Sequence, residues 1–361
     1  MKSVERSERD TSIELYRIIV MLLIIAHHYV VNSGLLGVDG PVFNNPLNIK
    51  SLFLVLFGAW GKTGINCFVI ISSYFLCTQK TSFEKFMRLY CQVYFYKNLF
   101  IILFALIGYT EMPTLQYKNL FPFYVGTDFV SAYLFYYLLI PYVNICINQL
   151  NKRQHMVCAC ILIYIFIVLG TLSNCIVIFN YVEWFVCVHF IVSFIKKYPH
   201  QIYENARVWG GLTLASVSFS VISIVLCMRK FVNAGVFAPY TYVADSNTFL
   251  AFTNGLCSFL FIKNIKMRYN KFINKVASTT FGVLLIHASS DTMRQWLWKD
   301  VLNNVCMYES KFLYIHAIVS VSAVFCICSI LDGLRNHFVE KPMLKLAYAV
   351  IERKNLIDKS V

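Results

Sequence analysis

Arg17 and His28 stand eleven positions apart in the stretch RIIVMLLIIAHH, with a second histidine, His27, just before His28. Eleven residues make about three turns of α-helix, so both side chains fall on one face, roughly 16 Å apart along the axis. Glu14, one turn before Arg17, lies on the same face and can pair with it. His27 is turned about 100° away. A guanidinium suits phosphate geometry, and a neutral imidazole accepts protons near neutral pH. One helical stripe therefore offers an anion clamp oriented by a carboxylate at one end and a general base at the other.

The element that presents this stripe is a membrane span. Of the 361 residues, 58% are hydrophobic and 14% charged, and mean hydropathy is +0.61. Soluble domains carry roughly 25% charged residues. Apolar stretches close to the ~20 residues that cross a bilayer recur along the chain. Ten spans are expected, at 13–33, 51–78, 89–110, 129–148, 157–174, 179–195, 208–228, 247–262, 276–289 and 312–331. No small-residue cleavage site follows the first, so it reads as a span and not as a signal peptide. The expected fold is all-α, a polytopic transmembrane helix bundle of about ten spans.

The net charge of +14 would suit nucleic acid, but its placement speaks for topology. With the N-terminus inside, 22 Lys and Arg fall in cytoplasmic segments. Seven fall on the other side: Lys50, Lys118, Arg229, Lys230, Arg294, Lys299 and Lys311. That asymmetry follows the positive-inside rule and puts both termini in the cytoplasm. No repeat, heptad run or low-complexity linker divides the chain, so 1–361 reads as one domain with tails at 1–12 and 333–361. The 13 cysteines sit mostly in apolar spans without a CxxC pair, and neither a disulfide framework nor a metal site is expected.

Ionisable groups inside a bilayer cost at least ~2.5 kcal/mol each on insertion scales, which makes each one a candidate for function. Beyond the first span these are Lys62, Lys97, Glu183, His189 and His287. Lys62 lies in a glycine-rich stretch, Gly58 to Gly64, where the second span is expected to break; irregular backbone at that depth must be buried or line a cavity. A plainer reading has Arg17 reaching to the headgroups and the histidines bonding between helices. The alignment of cation and base on one face favours the chemical reading.

At these residues the chain resembles the acyltransferase 3 family of bacterial integral-membrane acyltransferases, whose first helix carries an Arg-x10-His signature. SIELYRIIVMLLIIAHHYVVNSG is similar to the opening of members associated with capsular and exopolysaccharide clusters. GKTGINCFVIISSYFL (61–76) resembles the second-helix stretch ending in Ser-Gly-Tyr. FVSAYLFYYLLIPYVN (129–144), FGVLLIH (281–287) and FVEKP (338–342) follow in the family's order. Two positions depart: Ser73 replaces the glycine of Ser-Gly-Tyr, and Asp128 replaces an aromatic.

The resemblance implies transfer of an acyl group, usually acetyl, from coenzyme A to a sugar hydroxyl of a cell-surface or capsular polysaccharide. His28 is then expected as general base, with an acyl-histidine relay open to the same side chain. Arg17, with Lys85 and Arg88, is expected to hold the phosphates of acetyl-CoA, and Glu14 to orient Arg17. Ser72, Tyr74, His287 and His27 are the expected substrate contacts, and Glu340 is expected to fix the end of the last helix. Expected partners are the lipid bilayer of the bacterial plasma (inner) membrane and a sugar or lipid-linked acceptor, with no nucleic acid and the oligomeric state open. A polysaccharide-intermediate transporter or flippase is the competing class. It is disfavoured by the absence of internal repeats. A catalytically weakened member acting as an assembly partner is the third.

Overall fold

A computed structural model describes residues 9–109, 128–172, 180–234 and 238–344. The outer parts of both expected tails, Lys118, and the edges of the spans expected at 89–110, 157–174 and 179–195 lie outside the described residues. Among the described residues every regular element is helical.

The first helix, α1 (Thr11–Val31), starts where the Asp10 carboxylate accepts from the Ser12 amide at 2.9 Å, capping a free N–H of the first turn. A short α2 (Pro41–Asn44) precedes α3 (Ile49–Phe57), capped by Asn48, and α4 (Gly61–Leu76). Then come α5 (Phe83–Leu106), α6 (Phe129–Gln149) and α7 (Lys152–Leu162), which runs on as a π-helical stretch over Ile163–Leu169. The second half holds α8 (Tyr181–Lys197), α9 (Ala206–Ala234), α10 (Phe249–Lys263), α11 (Lys271–Ala277), α12 (Thr280–His287), α13 (Asp291–Gln295) and α14 (Leu313–Arg335).

Among the described residues, seven helical stretches are long and apolar enough to cross a membrane: α1, α3 with α4, α5, α6, α7 with its π-helical extension, α9, and α14 with its continuation. The spans expected at 179–195, 247–262 and 276–289 correspond to α8, α10 and the α11–α12 pair, of 17, 15, and 7 and 8 residues. Of these, α10 and α12 are inner helices. Seven of the eight residues of α12 are buried, as are Ala251, Phe252, Asn254, Gly255, Cys257, Phe259 and Leu260 of α10. A helix packed on all sides by protein can be shorter than the hydrocarbon is thick, because its ends meet protein and not lipid.

Burial sorts the long helices. The α1 and α3–α4 windows are 56% and 67% buried, whereas those of α5, α7 and α9 are 22%, 17% and 22% buried. The centre of the bundle is thus α1 against the broken helix α3–α4, with α8, α10 and α12 around them. Tyr16 of α1 ties this centre together, its hydroxyl 2.9 Å from Cys67 Sγ on α4 and 2.6 Å from Ser258 Oγ on α10.

Glycines set the α1–α4 approach. A Cβ on Gly61 would overlap the His27 ring, and one on Gly64 would come within 2.6 Å of the Ile24 side chain. Gly61 and Gly64 are one turn apart, as are Ile24 and His27, so two small-residue gaps receive two α1 side chains. A second close approach holds α12: a Cβ on Gly282 would overlap the Asp332 carboxylate of α14. Asp332 is buried and accepts from Gln92 Nε2 (3.1 Å) and Tyr96 hydroxyl (2.9 Å) of α5 and from Arg335 Nε (2.9 Å). Arg335 also reaches Glu340 at 2.7 Å. This charged knot joins α5 and α14 over α12, and Glu340 closes it at the end of the last helix.

Gly61→Ala is expected to lower the thermal midpoint of the detergent-solubilised protein, with a loss of about 1–3 kcal/mol as for other overpacked sites. Gly211→Ala, on the exposed α9 with nothing within 4 Å of its Cβ position, is the control and should hold or slightly raise the midpoint, because alanine is the better helix former. Fluorescence-detected size exclusion after heating measures both.

Candidate active site

The two adjacent histidines of α1 face different partners. His27 Nδ1 lies 2.6 Å from the Gly58 carbonyl oxygen, so it donates to a backbone group at the break between α3 and α4. The break is where the glycine-rich stretch placed it: α3 ends at Phe57, and α4 begins at Gly61. A carbonyl freed from its helix inside a bilayer needs a partner within the protein, and His27 is that partner. His28, about 100° round the helix, faces α12. Its Nδ1 is 3.0 Å from His287 Nε2.

His287 is fully buried, and its Nδ1 contacts the Val283 carbonyl at 2.6 Å. Both of its ring nitrogens are engaged within the protein. His28 Nε2 makes no hydrogen bond among the described residues, and it is not one of the atoms sealed in the interior without a partner. Lys62, at the start of α4, donates to the Tyr181 hydroxyl at 2.8 Å. Its charge and that of Arg294 both act on His28.

At the other end of the stripe, Arg17 Nη1 lies 3.7 Å from Glu14 Oε1, and Arg9 reaches the second Glu14 oxygen at 4.0 Å. Glu14 is buried, while the Arg17 side chain keeps 28% of its surface exposed. Arg17 lies within electrostatic reach of the Tyr133 hydroxyl of α6. That hydroxyl also bonds Ser72 Oγ of α4 at 2.9 Å. The Tyr133 ring lies 6.0 Å from Phe281 on α12. Phe281 and His287 are six residues apart, about 9 Å along the helix, so α12 runs from beside Tyr133 to beside His28.

The remaining expected contacts are spread more widely. Ser72 belongs with Tyr133. Tyr74, half-buried near the end of α4, has Lys196 Nζ 4.2 Å and Lys263 Nζ 5.9 Å from its ring centre. Lys85 and Arg88 are exposed in the first turns of α5, and Arg88 pairs with Glu84 at 2.7 Å. His189 is an interhelical partner: Nδ1 meets the Tyr136 hydroxyl at 2.7 Å, and Nε2 meets Asn144 Oδ1 at 2.8 Å. Among the described residues no cluster of three His, Cys, Asp or Glu forms a metal site, and the described cysteines are free thiols.

A family model described as an acyltransferase domain matches residues 10–331, from the cap of α1 to within four residues of the end of α14. The chain belongs to the acyltransferase 3 family. No match was found among curated proteins or among solved structures. As a member of this family it is a membrane acyltransferase, and its several apolar helices make it a multi-pass membrane protein.

Both departures from the family pattern have structural work in this acyltransferase. Ser73 is buried, and its hydroxyl bonds the Tyr136 hydroxyl at 2.9 Å, starting a chain through His189 to Asn144. Asn144 Nδ2 then donates to the Leu76 carbonyl at 3.0 Å, near the end of α4. Asp128 caps α6, accepting from the Ser131 amide at 2.8 Å.

Sequence reasoning missed Tyr133, Tyr136 and Asp332. A buried tyrosine hydroxyl needs a partner, and the run of tyrosines in the span expected at 129–148 is that signal. Asp332 falls one residue beyond the expected end of the last span, outside the segments in which ionisable groups count as buried.

His189→Phe should destabilise the acyltransferase by about 1–3 kcal/mol, because it leaves the Tyr136 hydroxyl and Asn144 amide short of a partner. Transfer activity per folded molecule should be unchanged. Thermal midpoint and specific activity, measured on one preparation, check both.

Proposed function

We propose that this acyltransferase moves an acetyl group from acetyl-CoA to a hydroxyl of a cell-surface or capsular polysaccharide sugar, with His28 as general base. The observation that carries the proposal is the orientation of α1. His28 faces α12 with its Nε2 unbonded among the described residues, and Arg17 pairs with the buried Glu14 on the same stripe. A cation and a base on one buried stripe suit a ligand with phosphates at one end and a reacting carbonyl at the other.

The residues then divide the task. Arg17, steadied by Glu14, binds phosphate by charge-assisted hydrogen bonds, and Lys85 and Arg88 add positive charge at the start of α5. If α1 enters the hydrocarbon near Ser12, His28 is about 24 Å deeper along the axis, so the pantetheine arm threads inward past Ser72 and Tyr133. Tyr74 and His27 flank this route at the end and the beginning of α4. The acceptor, free or lipid-linked, approaches from the far side.

The sugar oxygen attacks the thioester carbonyl carbon. The new C–O bond forms, the C–S bond breaks, and His28 Nε2 takes the hydroxyl proton and returns it to the leaving thiolate. Such a base contributes about 10²–10⁴-fold. The enzyme works as one domain over 1–361 in the bacterial plasma membrane, with both ends cytoplasmic as the charge asymmetry indicates.

Membranes carrying the protein, incubated with acetyl-labelled acetyl-CoA and a polysaccharide fraction from the same cells, test the proposal. Wild type should label the polysaccharide, and His28→Ala should abolish labelling while eluting as a folded protein. Arg17→Gln should raise the KM for acetyl-CoA roughly 10- to 100-fold, the worth of a hydrogen bond to a charged group. No transfer by wild type, with passage of a lipid-linked intermediate across the bilayer, would instead support a transporter.

A further inference from the structure

His287 is the one buried histidine in contact with the proposed base, and its hydrogen bonds carry information that a distance alone does not. A carbonyl oxygen can only accept, so the 2.6 Å contact between His287 Nδ1 and Val283 O requires a proton on that nitrogen. In a neutral ring the other nitrogen, Nε2, then holds a lone pair. Opposite that lone pair, at 3.0 Å, stands His28 Nδ1, which must therefore donate. A neutral His28 with its proton on Nδ1 has its lone pair on Nε2. That is the nitrogen with no partner among the described residues.

The orientation is enforced along its whole length. Val283 and His287 are one helical turn apart on α12, so the acceptor at the end of the chain is the helix's own backbone. The Gly282–Asp332 contact pins α12 against α14 and α5. The facing cations, Lys62 and Arg294, hold no lone pair to offer His28. His27 is turned aside, its ring centre 5.8 Å from that of His28 and its Nδ1 spent on Gly58.

We propose that His287 is a positioning residue: by accepting from His28 Nδ1–H it holds His28 in the tautomer whose Nε2 can take a proton. The proposal rests on the reading of His28 as general base, and it gives His287 a role other than contact with substrate. When His28 Nε2 takes the hydroxyl proton, Nδ1–H still donates to His287, so the ring does not have to reorient during transfer. A tautomer held wrongly is costly: in the Ser-His-Asp triad that change alone lowers kcat about 10⁴-fold. His287 is neutral and weaker than a carboxylate, so a smaller loss is expected here, about 10- to 100-fold in kcat.

The test uses full-length protein in lipid nanodiscs, labelled with ¹⁵N-histidine, with His28 assigned by its disappearance in His28→Gln. Wild type should show a protonated, pyrrole-type Nδ1 and a bare, pyridine-type Nε2 at neutral pH. His287→Gln, whose amide oxygen can still accept, should preserve that signature. His287→Leu should let the proton distribute over both nitrogens. With acetyl-labelled acetyl-CoA, His287→Leu should lower kcat about 10- to 100-fold at unchanged donor KM, and His287→Gln should recover most of the loss.

A wild-type His28 protonated on Nε2, or a His287→Leu protein with wild-type tautomer and kcat, would overturn the proposal. Should His287→Leu not fold, the wild-type tautomer and the His287→Gln rate still decide it. If wild type has the expected tautomer but transfers no acetyl group, the functional reading fails and the positioning bond stands.

Discussion

A helix broken inside a bilayer frees backbone groups that lipid cannot satisfy, and in this protein the hydrogen bond from His27 to the Gly58 carbonyl answers that requirement. The bond forms only because Gly61 leaves room for the His27 ring, while Gly64 admits Ile24 one turn away. These contacts fix both the distance between α1 and the broken helix and the rotation of α1 about its own axis. Once that rotation is set, His28 must face α12, and Glu14 and Arg17 pair on the same stripe. The double histidine thus splits between two partners: one ring secures the backbone, and the next is held against α12.

Around this centre the protein places its polar groups in closed sets. Ser73, Tyr136, His189 and Asn144 form a chain ending on the Leu76 carbonyl. Asp332 gathers donors from α5 and α14 beside Gly282. Buried polar groups satisfied in this way rigidify the elements they join, and the elements joined here are the walls of the proposed reaction path. By contrast, Glu14 keeps one buried oxygen without a hydrogen bond, 4.0 Å from Arg9.

Helical periodicity alone put Glu14, Arg17 and His28 on one face, and the structure pairs Glu14 with Arg17 as that spacing requires. The break at Gly58 to Gly64 was also legible, because glycine clustering in a span is a local signal. What local pattern could not show was pairing at long range. His28 and His287 are 259 positions apart, and nothing in either segment names the other. The short inner helices α10 and α12 blurred the count of spans, since hydropathy measures apolar length and not whether protein or lipid surrounds it. Asp332 was missed because its partners Gln92 and Tyr96 lie on a distant helix, and only their contact makes a carboxylate tolerable at that depth.

The central claim is that the stripe on α1 is a binding and reaction face. The most direct measurement is a structure of the full-length protein in lipid with a thioether analogue of acetyl-CoA. The account predicts analogue phosphates at Arg17 and an acyl carbon close enough to His28 Nε2 for an acceptor hydroxyl to bridge them, the reacting atoms standing about 3–3.5 Å apart. An analogue bound away from α1, or seated with its acyl end remote from His28, would contradict it.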